Sequence, residues 1–401
     1  MNRRWAVAGL CALGFVLRAA VGLFGPDHFW AYTNYFEMAK NLVHGVGYCL
    51  GDDGTLCAYF PPVYPTIVAA GILTGHPRTA IVLISSVLGA GTVLLTYLIG
   101  RPLFGTAVGV LASAYAALYP YYVWHDPVLQ DTATLTFVVA CTLYLLLCAS
   151  RSDSAWLALA AGGAMGIVLL TKANLVLFVL FALAWTTVAL GARRALWTVL
   201  GAVLIAGPWA VRTWRITGEP ILYSNAGFSL WTSNHRLTFD YFPERRIDDA
   251  GIPEWQDFTP AELREFESIN DPHWIKQTHW LWAKGIAFIR AHPWLTLRRA
   301  MYKVWIGFSP RFSPAKGWLF QTVYFVSYAP MLALACRGVW LSRNRWRDLA
   351  YIYVAFLGFA MGTAMFWAHT SHRMYLEPYL MILAASALVL KTTSGGEPSG
   401  A

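Results

Sequence analysis

The sequence predicts an all-α polytopic membrane protein: about ten transmembrane helices, extracytoplasmic amphipathic helices and one larger extracytoplasmic insert. Three observations predict it. Apolar windows of about 20 residues, the length that crosses about 30 Å of hydrocarbon at 1.5 Å per residue, recur along the chain. Charged residues make up only 13% of the 401 positions and apolar or aromatic ones 57%, where a soluble domain carries roughly 25% charge. Of the 30 basic and 21 acidic residues, 14 and 11 respectively fall between Arg212 and Lys316, so one water-facing insert interrupts an otherwise lipid-compatible chain. An ordinary soluble enzyme is excluded. The net charge of +9 does not mark a nucleic-acid partner, because the basic residues cluster at the ends of apolar runs, as membrane orientation requires.

The first expected span, 5–24, follows Arg3 and Arg4; Arg18 interrupts its core, so it reads as a retained helix rather than a cleaved leader. In the loop 25–62, Tyr32, Tyr35, Phe36, Ala39, Leu42 and Val43 recur at helical spacing opposite Asn34, Glu37, Lys40, Asn41 and His44, the pattern of a helix lying on the membrane surface. The apolar run 63–74 is too short to span and reads as a re-entrant or interfacial helix. Six spans follow at 79–100, 103–124, 131–149, 155–171, 174–191 and 195–211, with a kink expected at Pro208. The insert 212–316 carries two aromatic amphipathic segments. One bears Trp274, Ile275, Leu281, Trp282 and Ile289; the other bears Trp294, Leu297, Met301, Trp305 and Phe308, with Arg299 and Lys303 forming a basic edge toward lipid headgroups. The last three spans fall at 317–336, 348–368 and 375–391. The chain thus divides into an N-terminal module 1–211, the insert, a three-span module 317–391 and a tail 392–401.

Eleven Lys and Arg residues fall on one side of this arrangement: Arg3, Arg4, Arg101, Arg151, Arg193, Arg194, Arg337, Arg343, Arg345, Arg347 and Lys391. Short loops opposite hold only Lys40, Arg78, Lys172 and Arg373. That asymmetry predicts both termini in the cytoplasm. Cys11, Cys141, Cys148 and Cys336 lie in spans as packing thiols; Cys49 and Cys57 bracket a Gly-Asp-Asp-Gly turn on the outer side, where a disulfide would persist.

Candidate chemistry concentrates at the outer rim. Asp27, just past the first span, suits a general base or metal ligand, or merely a helix cap. Asp126 and Asp131 flank the start of the fourth span as a second acidic pair, and turn formation explains them equally well. Lys172, Arg212, Arg215 and Arg373 stand at outer helix ends, where they either hold an anionic phosphate or snorkel to headgroups. Arg18 lies deeper and should face protein or a cavity. His369, His372, Arg373 and Glu377 crowd one short turn.

Four stretches in this order carry a family resemblance. They are Asp27 to Gly47; Phe60-Pro61-Pro62-Val63-Tyr64-Pro65; Gly207-Pro208-Trp209-Ala210-Val211-Arg212 through Gly218-Glu219-Pro220 to Asn225-Ala226-Gly227 and Leu230-Trp231-Thr232-Ser233-Asn234; and His372-Arg373-Met374-Tyr375-Leu376-Glu377-Pro378. With the span order, they resemble the GT-C membrane glycosyltransferases, specifically the family 39 or protein-mannosyltransferase-like group that includes aminoarabinose transferases. The resemblance implies an enzyme of the bacterial inner membrane that moves a sugar from a polyprenyl-phosphate donor to a glycan, lipid or protein acceptor on the extracytoplasmic face. It maps the active-site acid onto Asp27, the acid opening the fourth span onto Asp131, and donor-phosphate binding onto Arg373 and Arg212; Lys172 and His372 join them as candidates for the same role. His28, Tyr59, Pro62, Tyr64 and Asn234 would line the substrate groove. Asp27-His28 stands where Asp-Glu is usual and Ser371 where an Arg is often found. No cofactor is indicated, and a divalent metal is left open. The competing class is a multi-pass transporter or lipid-linked glycan flippase; the one-sided insertions and the lack of half-to-half symmetry argue against it.

Overall fold

The computed structural model describes residues 3–26, 28–247, 257–367 and 369–390. Among them every regular element is helical. The first is α1 (Arg3–Phe24), followed by the short α2 (Thr33–Val43) and α3 (Val63–Leu73), which pack together, α3 also lying against α4 (Pro77–Phe104). The bundle continues through α5 (Thr106–Leu118), α6 (Pro120–His125), α7 (Thr132–Ser150), α8 (Ala155–Thr171), α9 (Val176–Leu190) and α10 (Ala192–Thr217). The insert supplies α11 (Ala226–Ser233), α12 (Pro260–Glu267), α13 (Ile275–Ala291) and α14 (Pro293–Phe308). The chain closes with α15 (Trp318–Leu341), α16 (Ala350–Met365) and α17 (Glu377–Val389).

Among the described residues, six helices are long and apolar enough to cross a membrane, corresponding to the expected spans 5–24, 79–100, 131–149, 174–191, 195–211 and 317–336. The other four expected spans are shorter helices. The run 103–124 breaks into α5 and α6 because Pro120 disfavours helical backbone at Tyr119, which is extended at φ −61°, ψ 116°. The run 155–171 is α8; 348–368 contracts to α16; and 375–391 becomes α17, entered through a 3₁₀ turn, Thr370–Leu376. Pro208 lies within a continuous α10. Large apolar side chains stay exposed along α10 and α15, including Leu196, Val203, Leu204, Trp318 and Val326. Exposure on that scale is what a lipid-facing surface requires.

Gly162 of α8 and Gly201 of α10 let two backbones meet. A Cβ at Gly162 would collide with Thr198 O, one at Gly201 with Leu159 O, and Gly166, four residues on, faces Ile205 and Ala202 O. Such small-residue contacts replace the hydrophobic drive that is lacking between helices in lipid. Gly162→Val is expected to push α8 from α10 and lower the melting temperature in detergent by several degrees, read by a thiol-reactive melting assay; an unchanged temperature would contradict this packing.

The insert departs from expectation on α14. Its Trp294, Leu297, Met301 and Trp305 are exposed, as predicted, but Lys303 is fully buried and Arg299 turns inward, donating to His235 O at 2.7 Å and Arg236 O at 3.0 Å. The basic edge faces protein, because the carbonyl end of α11 offers the better partner: Lys303 Nζ donates to Ser233 O at 3.3 Å and Asn234 Oδ1 at 3.4 Å. Burial, then Arg299, pushes the Lys303 ammonium down to about 7.

Candidate functional site

One cavity of about 650 Å³ opens at the end of the bundle where α7 begins and α8 ends. Its walls come from segments far apart in sequence: Ala31–Tyr35, Tyr59–Pro61, the start of α7, Thr171–Leu175, Tyr223–Ser229, Phe312–Lys316, the end of α16 and the turn that precedes α17. Asp131 occupies the N-cap position of α7 yet makes no capping bond. Its side chain, almost fully buried, instead accepts from Lys172 Nζ at 3.0 and 3.3 Å. Lys172 reaches it from the residue that terminates α8.

Around this pair stand Arg246, Lys316, His125, His369 and His372. Arg246 donates to Tyr32 Oη at 3.2 Å. Desolvation, followed by neighbouring cations, holds the histidines neutral: His125 and His369 are pushed down to about 3 and His372 falls well below its ordinary range. Positive charge in the described wall therefore rests on Lys172, Lys316 and Arg246, against the single carboxylate of Asp131. Three polar atoms on the wall, His125 Nδ1, Asn174 Oδ1 and Asn225 Oδ1, are buried without a hydrogen-bond partner in this structure. Polar groups buried in that state suit a ligand rich in hydroxyls. Tyr32, Tyr59, Phe60, Phe228, Phe312 and Trp367 supply apolar ring surface. Among the described residues no group of three or more His, Cys, Asp or Glu is arranged to hold a metal ion.

Of the residues singled out from the sequence, the cavity brings together Asp131, Lys172, His372 and Tyr59. Asp27 lies outside the described residues. Asp126 is elsewhere, buried in an ion pair with Arg18 at 2.6 Å, whose remaining N–H groups donate to Gly14 O, Ala116 O and Ala117 O. The pair engages Asp126 Oδ2, and Asp126 is not among the residues that line the cavity. Arg373 is likewise fully buried: Nε and Nη2 donate to Glu377 Oε1 at 3.3 Å, Nη1 to Gly307 O, and the guanidinium stacks 3.9 Å from the Tyr328 ring. Arg212 donates to Cys57 O at 2.9 Å and Tyr48 O at 3.3 Å. His28 stacks on Trp124 at 3.9 Å, and its two ring nitrogens meet Pro26 O and Trp124 O. Pro62 occupies the N-cap position of α3, Tyr64 is buried against Tyr35, and Asn234 donates to Met365 O at 2.8 Å; none of the three lines the cavity.

The site residues read from the sequence do not include Arg246, Lys316, Asn174 and Asn225. Two of these had a signal: Asn174 lies two residues beyond Lys172 at the same helix end, and Asn225 falls within the third stretch that carries the family resemblance. Cys49 and Cys57 form the disulfide that their spacing suggested, while Cys11, Cys141, Cys148 and Cys336 are free thiols.

Residues 60–211 match the family model for dolichyl-phosphate-mannose-protein mannosyltransferases. In fold, the chain is similar to the oligosaccharyltransferase of Archaeoglobus fulgidus in its apo form, with a TM-score of 0.58 at 12% identity over 97% of this chain and 51% of that one. The same enzyme in complex with an inhibitory peptide and a dolichol-phosphate gives 0.52 at 14% identity over 98% and 51%. ArnT of Cupriavidus metallidurans, bound to undecaprenyl phosphate, gives 0.43 at 17% identity over 98% and 79%. The chain therefore spans about half the length of the oligosaccharyltransferase it matches. Comparison with curated protein sequences finds no match. The expected resemblance is borne out as a likeness: residues 60–211 match the mannosyltransferase family model, and the helices of the described residues are arranged as in the oligosaccharyltransferase fold.

Proposed function

We propose that this protein is an integral-membrane glycosyltransferase that moves a sugar from a polyprenyl-phosphate donor to an acceptor on the extracytoplasmic face of a bacterial inner membrane. The observation that carries this reading is the cavity at one end of the bundle, whose wall holds Lys172, Lys316 and Arg246 and one buried carboxylate, Asp131, paired with Lys172. Three cations suit a lipid phosphate, first as bound donor and then as leaving group, because they offset the charge that develops on the phosphate oxygen as the glycosidic bond breaks. The family-model match over 60–211 agrees with a lipid-phosphate-linked sugar, and the Cys49–Cys57 disulfide suits an oxidising compartment.

In this reading the donor phosphate is held by Lys172 and its cationic neighbours, with neutral His372 beside them. The sugar lies against the aromatic wall that includes Tyr59. Asp131 fixes the Lys172 ammonium; since both of its oxygens already accept from that lysine, proton removal from the acceptor hydroxyl is assigned to Asp27, which precedes the cavity segment 31–35 by a few residues. A carboxylate base of this kind contributes about 10²–10⁴-fold. Purified protein in lipid nanodiscs, supplied with polyprenyl-phosphate sugars, tests both parts. Wild type should release polyprenyl phosphate and glycosylate an acceptor, and Asp27→Asn should lose at least about 10²-fold in rate. Wild-type transfer by Asp27→Asn would remove Asp27 as the base; no release from any such donor would remove the function.

A further inference from the structure

Arg212 and the Cys49–Cys57 disulfide lie together, outside the cavity, and nothing in the reaction as derived uses either. Cys49 and Cys57 close a small loop. The Arg212 fork crosses the neck of that loop, one amino group donating to Cys57 O and the other to Tyr48 O. Arg212 also lies over the Tyr48 and Trp209 rings, at 5.3 and 4.6 Å. Asn41 Nδ2 braces the loop from α2, within 3.2 to 3.3 Å of Cys49 O, Leu50 O and Gly51 O.

What leaves this knot leads straight into the cavity wall. Tyr48 Oη donates to Pro61 O at 2.8 Å, and Ser224 N donates to Ala58 O at 2.8 Å. Tyr59, Phe60 and Pro61 line the cavity, as do Tyr223 and Asn225 on either side of Ser224. Leu56 N also donates to Pro272 O at 2.8 Å, tying the loop to the insert. Two wall segments more than 150 residues apart in sequence are thus indexed to one cross-linked loop, and that loop is indexed to α10 through Arg212.

We propose that Arg212 and the Cys49–Cys57 disulfide are positioning elements that set the distance between the Tyr59–Pro61 and Tyr223–Asn225 walls, and thereby substrate affinity rather than the chemical step. A planar fork that meets two carbonyls at once cannot be replaced by an ammonium, which is a point donor. The inference rests on the glycosyltransferase reading for its kinetic arm only.

The test compares wild type, Cys49→Ser/Cys57→Ser, Arg212→Lys and Arg212→Met, each as the full chain in nanodiscs. Hydrogen exchange over residues 57–62 and 222–226 should rise at least tenfold in all three variants, and in wild type treated with a membrane-permeant reductant, while exchange in α7 and α15 is unchanged. The KM for a polyprenyl-phosphate sugar should rise about five- to tenfold with kcat within twofold, and reductant should add nothing to the double-serine variant. Unchanged exchange in the two wall segments, with both thiols shown free by alkylation and mass spectrometry, would overturn the clamp. So would loss of kcat at constant KM. If wild type uses no such donor, the function fails while the exchange data still judge the clamp.

Discussion

Lys172→Met is expected to lower kcat/KM for sugar transfer from a polyprenyl-phosphate donor by about 10²–10³-fold, the range seen when one preorganised charge-stabilising donor is removed from an active site. Lys172 is fixed in the cavity wall, held by Asp131 at 3.0 Å and only partly exposed, so it needs little reorganisation to receive a phosphate. Asp131→Asn keeps the lysine but loosens it, and should cost less, about tenfold, mainly in kcat. In the double variant the two losses should not add, because the second change removes an interaction that the first has already spoiled. Steady-state kinetics on the four proteins in nanodiscs give the coupling directly. Additive losses would mean that the two residues act separately.

Arg373→Met should be the most destabilising single change in the late spans. Arg373 and Glu377 are both completely buried, and the acid also accepts from Tyr119 Oη at 3.4 Å. Removing the arginine strands a carboxylate where water cannot reach it, at a cost of about 3–5 kcal/mol, and the variant should be recovered mostly as aggregate. Arg373→Met/Glu377→Leu should restore folding, since apolar residues of similar volume replace a buried pair at little cost. The rescued protein also decides the role of Arg373. Transfer within about threefold of wild type means that the guanidinium supports the fold; a well-folded double variant with no transfer would return it to phosphate binding. Fluorescence-detected size-exclusion profiles and transfer assays give the two readouts.

These expectations show which features could be read from the sequence. Spans were legible because hydrocarbon forces long apolar runs, and a run such as 131–149 leaves no alternative. The break between α5 and α6 was not, since Tyr119, Tyr121 and Tyr122 around Pro120 read equally well as an aromatic belt. The inward turn of Lys303 escaped for a related reason: amphipathicity assigns charge to water, whereas α14 has a polar protein surface on one side and an exposed apolar stripe on the other. Asp131 and Lys172 could be found because each sits at a helix end. Arg246 and Lys316 could not, because they reach the cavity from irregular segments of the insert, and only the closed chain brings them there. For Arg373, the i,i+4 acid Glu377 in the same turn was the available sign of a self-contained ion pair.

The orientation of α14 has a practical consequence for how the insert can be handled. Trp294, at 81% exposure, and Trp305, at 65%, lie on the greasy flank, while the opposite flank plugs Lys303 into the end of α11 and packs on α16. Residues 212–316 are charged enough to look like a domain that could be excised and expressed in water. Excision would sever α14 from α16 and leave the tryptophans to find one another, so the fragment would precipitate. The insert is better regarded as two-sided, with an apolar flank on α14 opposite the flank that packs on the helical bundle, than as a soluble module.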